Sequence, residues 1–81
     1  MDMSKKLVEL RDIFDVTDAQ IGKALGVAEF FVCKWHNGES TPDLARFTQL
    51  CRYYGVSADY LLGISTYLPF DARQRLLNRY T

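Results

Sequence analysis

The sequence predicts an all-helical domain, and three features support this prediction. Apolar residues recur at three- and four-residue steps along most of its 81 residues. Glycine or proline interrupts this pattern at short intervals, which is typical of short helices joined by tight turns. No stretch alternates between apolar and polar residues like a strand, and no glycine-rich phosphate loop or internal repeat occurs. We therefore expect a compact bundle of helices.

Length and composition fit one small globular domain. Hydrophobic residues make up 48% and charged residues 25% of the chain, which is close to the average for globular proteins. No apolar run approaches the ~20 residues of a transmembrane helix, and no signal-peptide core follows the N-terminus, so we expect a cytoplasmic protein. Cys33 and Cys51 have no partners at metal-ligand spacing. We expect two reduced thiols and neither metal nor cofactor.

The first helix is expected to begin at a Ser4 cap and to bury a stripe that includes Leu7, Leu10 and Phe14. The connection that follows, residues 15–16, is too short to be a linker between domains. The first helix must therefore pack directly on the second and share one core with it.

Residues 17–38 predict a helix, a tight turn and a second helix. Thr17 and Gln20 have the spacing of a capping box, and Ile21, Ala24 and Leu25 fall on one helical face. Glycine at position 26 can adopt the positive φ that a steep exit from the helix requires. This arrangement is the supersecondary unit that places its second helix in a DNA major groove.

The second helix of this unit is predicted over residues 29–35, with Val32 and Trp35 on its buried face and a stop at Asn37 and Gly38. Neighbouring residues lie about 100° apart around a helix. Phe30 and Phe31 therefore cannot both face the core, and we expect at least one of them to be exposed.

A fourth helix is predicted over residues 42–54, because Pro42 suits the first position of a helix. Its expected buried face consists of residues three and four apart, namely Leu44, Phe47, Leu50, Cys51 and Tyr54. Gly55 ends this helix. Ser57 is then expected to cap a short fifth helix, residues 58–62, whose Tyr60 and Leu61 close the core.

Residues 64–81 form a C-terminal extension to the helix-turn-helix domain of residues 1–63. A proline at position 69 disfavours helix just before it, and a further helix is predicted from about residue 71. The apolar side of this helix can fold back on the domain or contact a second copy of the chain, and the sequence leaves both open. Candidate dimer contacts are Leu68, Ala72, Leu76 and Tyr80.

Five short motifs follow one another at a regular spacing. They are Leu7-x-x-Leu10-Arg11, the block of residues 17–27 that ends in Leu25-Gly26-Val27, Val32-x-Lys34-Trp35-x-Asn37-Gly38, Pro42, and Gly55-Val56-Ser57-x-Asp59-Tyr60-Leu61-Leu62-Gly63. In this order they resemble the lambda-repressor-like, or Cro/repressor-type (XRE), family of helix-turn-helix regulators. The resemblance implies a five-helix domain that binds operator DNA, usually as a dimer, and regulates transcription in bacteria or phages.

The charge distribution is unusual for such a regulator. Residues 1–63 carry seven lysines and arginines against nine aspartates and glutamates, a net charge of −2, and residues 64–81 carry +2. DNA-binding domains are usually basic, because phosphate contacts supply much of their affinity. Where the family usually has a phosphate-binding glutamine after the Thr17 position, this chain has Asp18, which would repel a phosphate placed there.

Four residues of the third helix are candidates for reading base edges: Glu29, Phe30, Cys33 and Lys34. A lysine can donate to guanine O6 and N7, a glutamate can accept from cytosine N4, and phenylalanine can contact a thymine methyl group. Each could equally be a solvent-exposed side chain with no such role. Candidate phosphate contacts are Lys5, Lys6, Lys23, Asn37 and Ser40.

Two functions are consistent with these residues. The first is a sequence-specific, homodimeric, DNA-binding transcriptional regulator with its third helix in the major groove. The second is a protein-interaction module, such as an antirepressor, that keeps the fold and binds its partner through Phe30 and Phe31. We do not expect an enzyme, because His36, predicted to be a surface histidine, has no evident nucleophile or carboxylate around it.

Overall fold

Six helices follow one another in the computed structural model, which describes residues 3–64 and 70–79. They are α1 (Met3–Phe14), α2 (Asp18–Leu25), α3 (Glu29–Asn37), α4 (Leu44–Tyr54), α5 (Ala58–Leu61) and α6 (Phe70–Arg79). No strand occurs in the described ranges, so the predicted all-helical fold class is confirmed. None of the helices described is long and apolar enough to cross a membrane.

Side-chain caps fix the starts of α2 and α5 where the sequence predicts them. The Thr17 hydroxyl accepts a hydrogen bond from the Gln20 backbone N–H at 3.1 Å, and Gln20 Oε1 accepts from the Thr17 N–H at 2.8 Å. Ser57 Oγ accepts from the Tyr60 N–H at 3.1 Å. Each cap satisfies a backbone donor that has no partner inside the helix.

The start of α4 differs from the prediction. Asp43 caps this helix by accepting from the Arg46 N–H at 2.9 Å, so α4 begins at Leu44 rather than at Pro42. Leu44 is 80% exposed, and its predicted place in the core is wrong. The buried face of α4 is centred between Leu50 and Tyr54. With 3.6 residues per turn, Leu44 lies about 100° away from that centre around the helix axis, which places it outside the buried face. Cys51 lies near the same edge and is half-buried.

The predicted start of α1 and the predicted face of α2 also need correction. Helix α1 already includes Met3, so Ser4 lies inside it and is not its cap. In α2, Gly22 is buried beside Ile21 and Leu25, whereas Ala24 is exposed. The buried side of α2 is turned toward Gly22 because α3 packs there.

One apolar core joins the first five helices. Helix α1 contacts α3 and α5, α2 contacts α3 and α4, and α4 contacts α5. Each large apolar side chain buried here stabilises the fold by about 1.5–3 kcal/mol. The buried core residues are Leu7, Leu10, Ile21, Leu25, Val32, Trp35, Leu50, Tyr54, Val56, Tyr60 and Leu61.

Helix α6 packs against α1. The Arg75 guanidinium carbon lies 4.7 Å from the centre of the Phe14 ring, a distance at which the positive charge is attracted to the aromatic face. Of the candidate dimer contacts, Leu68, Tyr80 and the side chains of Ala72 and Leu76 lie outside the described residues. Dimerisation through this segment therefore stays a prediction.

The approach of α2 to the following turn depends on Gly22. A Cβ atom at this position would lie 2.7 Å from the Val27 carbonyl oxygen, closer than carbon and oxygen can pack. The Gly22 carbonyl accepts hydrogen bonds from the backbone N–H groups of Gly26 and Val27. Gly26 itself has a φ of +76°, as its predicted turn requires. Together these contacts set the direction in which α3 leaves the turn.

Replacing Gly22 with alanine is expected to destabilise the protein. The added methyl group meets rigid backbone, and overpacking of this kind lowers the free energy of unfolding by about 1–3 kcal/mol, despite alanine's advantage of about 1 kcal/mol in helix propensity. Urea unfolding followed by circular dichroism measures the change. The control Lys23→Ala, on the exposed side of the same helix, should change stability by less than about 0.5 kcal/mol. Equal or greater stability of Gly22→Ala would contradict this account of the turn.

Candidate nucleic-acid interface

Helix α3 presents one face to the core and the other to solvent. Val32, Trp35 and His36 are buried, and the helix ends at Asn37, followed by Gly38 with a φ of +77°. The predicted stop at Asn37 and Gly38 is therefore confirmed. The outward residues of α3 therefore lie on a regular helix whose opposite side is anchored in the core.

Two phenylalanines dominate the outward face near the start of α3. Phe30 is 62% and Phe31 is 51% exposed, so the expectation that at least one is exposed is confirmed by both. Their ring centres are 5.6 Å apart and the planes cross at 71°, an edge-to-face contact. Lys34 Nζ lies 4.9 Å from the centre of the Phe30 ring. We call Phe30, Phe31 and Lys34 the α3 patch.

The other base-reading candidates lie beside this patch. Glu29 and Cys33 are exposed. Asn37 Nδ2 donates to Cys33 Sγ over 3.5 Å, one helical turn away. The structure thus brings Glu29, Phe30, Cys33 and Lys34 to one short stretch of helix surface, and their contact with bases stays a prediction.

A groove of about 510 Å³ runs beside the α3 patch toward the start of α4. Arg46, which the sequence did not single out, contributes to its wall, and its guanidinium donates to Gln49 Oε1 at 2.8 Å. No local pattern marks Arg46, because its position depends on how α4 lies beside α3. The groove is lined by Val27, Phe30, Phe31, Lys34, Trp35, Ser40, Thr41, Asp43 and Arg46.

The candidate phosphate contacts are spread over three helices and a loop. Lys5 on α1, Lys23 on α2 and Asn37 at the end of α3 are exposed, and exposed Ser40 lines the groove. Lys6 is half-buried, with its Nζ 4.6 Å from the centre of the Tyr60 ring. Tyr60 therefore already holds the Lys6 ammonium against α5, and the other four side chains are more accessible.

The Asp18 carboxylate contacts two other side chains of the protein. Its Oδ1 accepts a hydrogen bond from Arg11 Nη1 at 3.1 Å and lies 2.9 Å from His36 Nδ1. The contact with His36 is close but poorly aligned for a hydrogen bond. Asp18 is the first residue of α2, so this carboxylate joins α1, α2 and α3. We call Arg11, Asp18 and His36 the charged triad.

The charged triad corrects two expectations. His36 was predicted at the surface with no carboxylate nearby, yet only 9% of it is exposed and Asp18 contacts it. Asp18 was predicted to present an open negative charge, yet a guanidinium faces it, so its repulsion of a phosphate is weakened. The local sequence could not show these contacts, because they depend on how α1 and α3 pack against the start of α2.

Burial lowers the pKa of His36 below its ordinary value of 6.5, because the uncharged ring is favoured away from water. The neighbouring Asp18 carboxylate acts in the opposite direction and raises it, whereas the positive charge of Arg11 lowers it further. Burial is the largest of these effects, so His36 is mostly neutral at neutral pH.

Across residues 3–64 and 70–79, no three acidic, histidine or cysteine side chains come close enough together to hold a metal ion. Both cysteines are free, Cys33 exposed and Cys51 half-buried against the core.

Comparison with known proteins decides the fold family. No protein-family model matches the sequence, and no curated protein matches it. The P22 c2 repressor, solved in complex with a synthetic operator, is 25% identical with a TM-score of 0.74, over 80% of this chain and 98% of that one. A transcriptional regulator from Listeria innocua is 25% identical with a TM-score of 0.73, over 96% of this chain and 75% of that one.

The chain has the lambda-repressor-like helix-turn-helix fold. The resemblance that the sequence motifs predicted is confirmed, because both neighbours have this fold. In this lambda-repressor-like domain, α2 and α3 form the helix-turn-helix unit. The residues Ile21, Leu25, Val32 and Trp35, which belong to the motifs of this resemblance, are all buried.

Replacing Asp18 with asparagine is expected to destabilise this lambda-repressor-like domain by about 1.5 kcal/mol, the lower end for a hydrogen bond between charged groups. Asp12 provides a matched control. Its carboxylate also lies near Arg11, at 3.8 Å from Nε, but it is 54% exposed. Asp12→Asn should therefore change stability by less than about 0.5 kcal/mol. Equal effects in thermal unfolding would show that the charged triad adds nothing to stability.

His36 is the only histidine in the sequence, so a proton NMR titration of its ring reports its pKa directly. We expect a midpoint below 6.5, and a still lower midpoint in Asp18→Asn, because that variant loses the charge that raises the pKa. A midpoint at or above 6.5 in the unmodified protein would show that burial does not dominate.

Stability should follow the same titration. Because the pKa is lower in the folded than in the unfolded chain, the unfolded chain binds more protons around pH 6.5. The contribution of neutral His36 is therefore complete above 6.5 and is lost as the pH falls from 6.5 toward the folded pKa. Melting temperatures measured from pH 7.5 to 5 should fall more steeply than in His36→Gln. Equal slopes in the two proteins would be inconsistent with this linkage.

Proposed function

We propose that this chain is a sequence-specific, DNA-binding transcriptional regulator that places α3 in the major groove. The observation that carries the proposal is the match to the P22 c2 repressor, which was solved on a synthetic operator and is matched over 98% of its chain. The second neighbour is also a transcriptional regulator. Such a protein acts on DNA in the cytoplasm, and its dimeric state on the operator is part of the proposal.

The outward face of α3 supplies side chains suited to base edges. Lys34 provides an ammonium donor for guanine, Glu29 an acceptor for the cytosine amino group and Phe30 an apolar surface for a thymine methyl group. Cys33 lies on the same exposed side. Because these groups stand on a regular helix whose other side is buried, they can enter the groove together without reordering the backbone.

Phosphate contacts are proposed for Lys5, Lys23, Asn37 and Ser40, with Lys6 in a secondary position because of its contact with Tyr60. The net charge of −2 over residues 1–63 means that few phosphates are neutralised. We therefore expect moderate affinity that depends on specific contacts more than on general electrostatic attraction.

The acidic residues do not favour the protein-interaction module over DNA binding. Asp18, whose charge would repel a phosphate, is faced by the Arg11 guanidinium at 3.1 Å. The exposed pair Phe30 and Phe31 fits an apolar contact with either kind of partner. Both structural neighbours are transcriptional regulators, and this favours DNA.

Binding to duplex DNA should weaken as salt rises. With two or three lysine–phosphate contacts per subunit, and therefore four to six on a dimer, the slope of log K against log salt should be about −4 to −5. Fluorescence anisotropy with a duplex selected from a random library measures this slope. Lys23→Ala removes one contact from each subunit and should make the slope shallower by about 2, whereas Arg73→Ala, the same loss of charge on α6, should leave it unchanged. Failure to select any duplex at ~50 mM salt, where phosphate contacts are strongest, would exclude the proposed function.

A further inference from the structure

The two phenylalanine rings of the α3 patch are more than half exposed and do not belong to the core cluster. Phe30 and Phe31 point outward from a helix whose core contacts come from Val32 and Trp35. A phenylalanine ring cannot form the hydrogen bonds that identify most base edges. The apolar group that the major groove offers is the C5-methyl group of thymine. An exposed ring at a base-reading position is therefore chemically matched to thymine.

Lys34 is held at this ring rather than moving freely in solvent. It lies four residues after Phe30, on the same side of α3, and its Nζ is 4.9 Å from the ring centre. Attraction between the ammonium and the aromatic face restricts the side chain before any DNA binds. Such restriction reduces the entropy lost when the ammonium binds its acceptor.

The separation of ring and ammonium fits two neighbouring base pairs. Successive base pairs are about 3.4 Å apart along the DNA axis, and guanine O6 and N7 are the major-groove acceptors best suited to a lysine. The ammonium covers one face of the Phe30 ring and Phe31 makes an edge-to-face contact with it, but Phe30 is still 62% exposed, so part of its ring stays open to a methyl group. A thymine methyl group against Phe30 therefore leaves Lys34 within reach of the adjacent pair.

Resting on the proposed DNA binding, we propose that Phe30 and Lys34 form one reading unit for a thymine next to a guanine. Phe30 recognises the thymine methyl group and positions the ammonium, and Lys34 donates to N7 and O6 of the guanine. The unit distinguishes thymine from cytosine by the methyl group and guanine from adenine by the second acceptor, O6.

The test uses the full chain and a duplex selected from a randomised library. Each thymine is replaced in turn by deoxyuridine, which removes only the methyl group, and each guanine by 7-deazaguanine, which removes the N7 acceptor. We expect one thymine position at which deoxyuridine weakens binding about fourfold, the effect of one buried methyl group. At the neighbouring guanine, 7-deazaguanine should weaken binding by about threefold or more.

Variants assign these effects to side chains. Phe30→Ala should remove the deoxyuridine effect and reduce the 7-deazaguanine effect, because the ring holds Lys34 in place. Lys34→Met, which keeps the side-chain length but has no hydrogen-bond donor, should remove the 7-deazaguanine effect alone. Phe30→Leu keeps an apolar contact but has no aromatic face to hold Lys34. Its binding should still weaken with deoxyuridine, whereas the loss of affinity caused by 7-deazaguanine should be smaller. The control Leu44→Ala removes an even more exposed apolar side chain from α4 and should retain both effects.

The outcomes separate this inference from the proposed function. If a duplex is selected but deoxyuridine has no effect at any position, or its effect persists in Phe30→Ala, the reading unit is wrong and DNA binding stands. If no duplex is selected, the proposed function itself fails. Circular dichroism verifies that each variant is folded, and Phe30→Leu, which preserves most of the side-chain volume, supplies the answer if Phe30→Ala does not fold.

Discussion

The direction of α3 depends on a close backbone contact between α2 and the turn that follows it. Gly22 has no side chain, and a Cβ atom there would lie 2.7 Å from the Val27 carbonyl oxygen. Two backbone hydrogen bonds to the Gly22 carbonyl close the turn at the same point. The turn therefore has one geometry, and α3 leaves it with Val32 and Trp35 in the core and Phe30 and Phe31 outside.

The charged triad reinforces this arrangement electrostatically. Asp18 begins α2, and its carboxylate contacts Arg11 on α1 and His36 in the last turn of α3. The two ends of the helix-turn-helix unit are thereby tied to one another and to α1. The same contacts turn the Asp18 carboxylate inward, against a guanidinium, in a segment, residues 1–63, whose net charge is −2.

Features of the fold that depend on neighbours within four residues could be predicted from the sequence. The capping box of Thr17 and Gln20, the Ser57 cap and the glycine at position 38 all occur where expected. Leu44 was misplaced because Asp43 offers a better cap than the predicted start at Pro42, and because the edge of a buried face depends on the packing of α4.

In the candidate site, too, the features set by near neighbours in the sequence could be predicted, and those set by packing between helices could not. The outward position of Phe30, and its pairing with Lys34 one turn later, follow from helical periodicity. Asp18 and His36 are eighteen residues apart in the sequence, and Arg46 lies beside α3 because of the course of α4. Such contacts between helices have no local signature, so the charged triad and the wall of the groove became apparent only in the folded chain.

The proposed DNA-binding surface consists of α3 and the residues around it. An NMR titration of the isotope-labelled full chain with a library-selected duplex tests this proposal residue by residue. We expect the largest amide shifts in residues 17–40, with the maximum in α3, and little change in α6. Largest shifts in α6 or α4, with α3 unchanged, would contradict it.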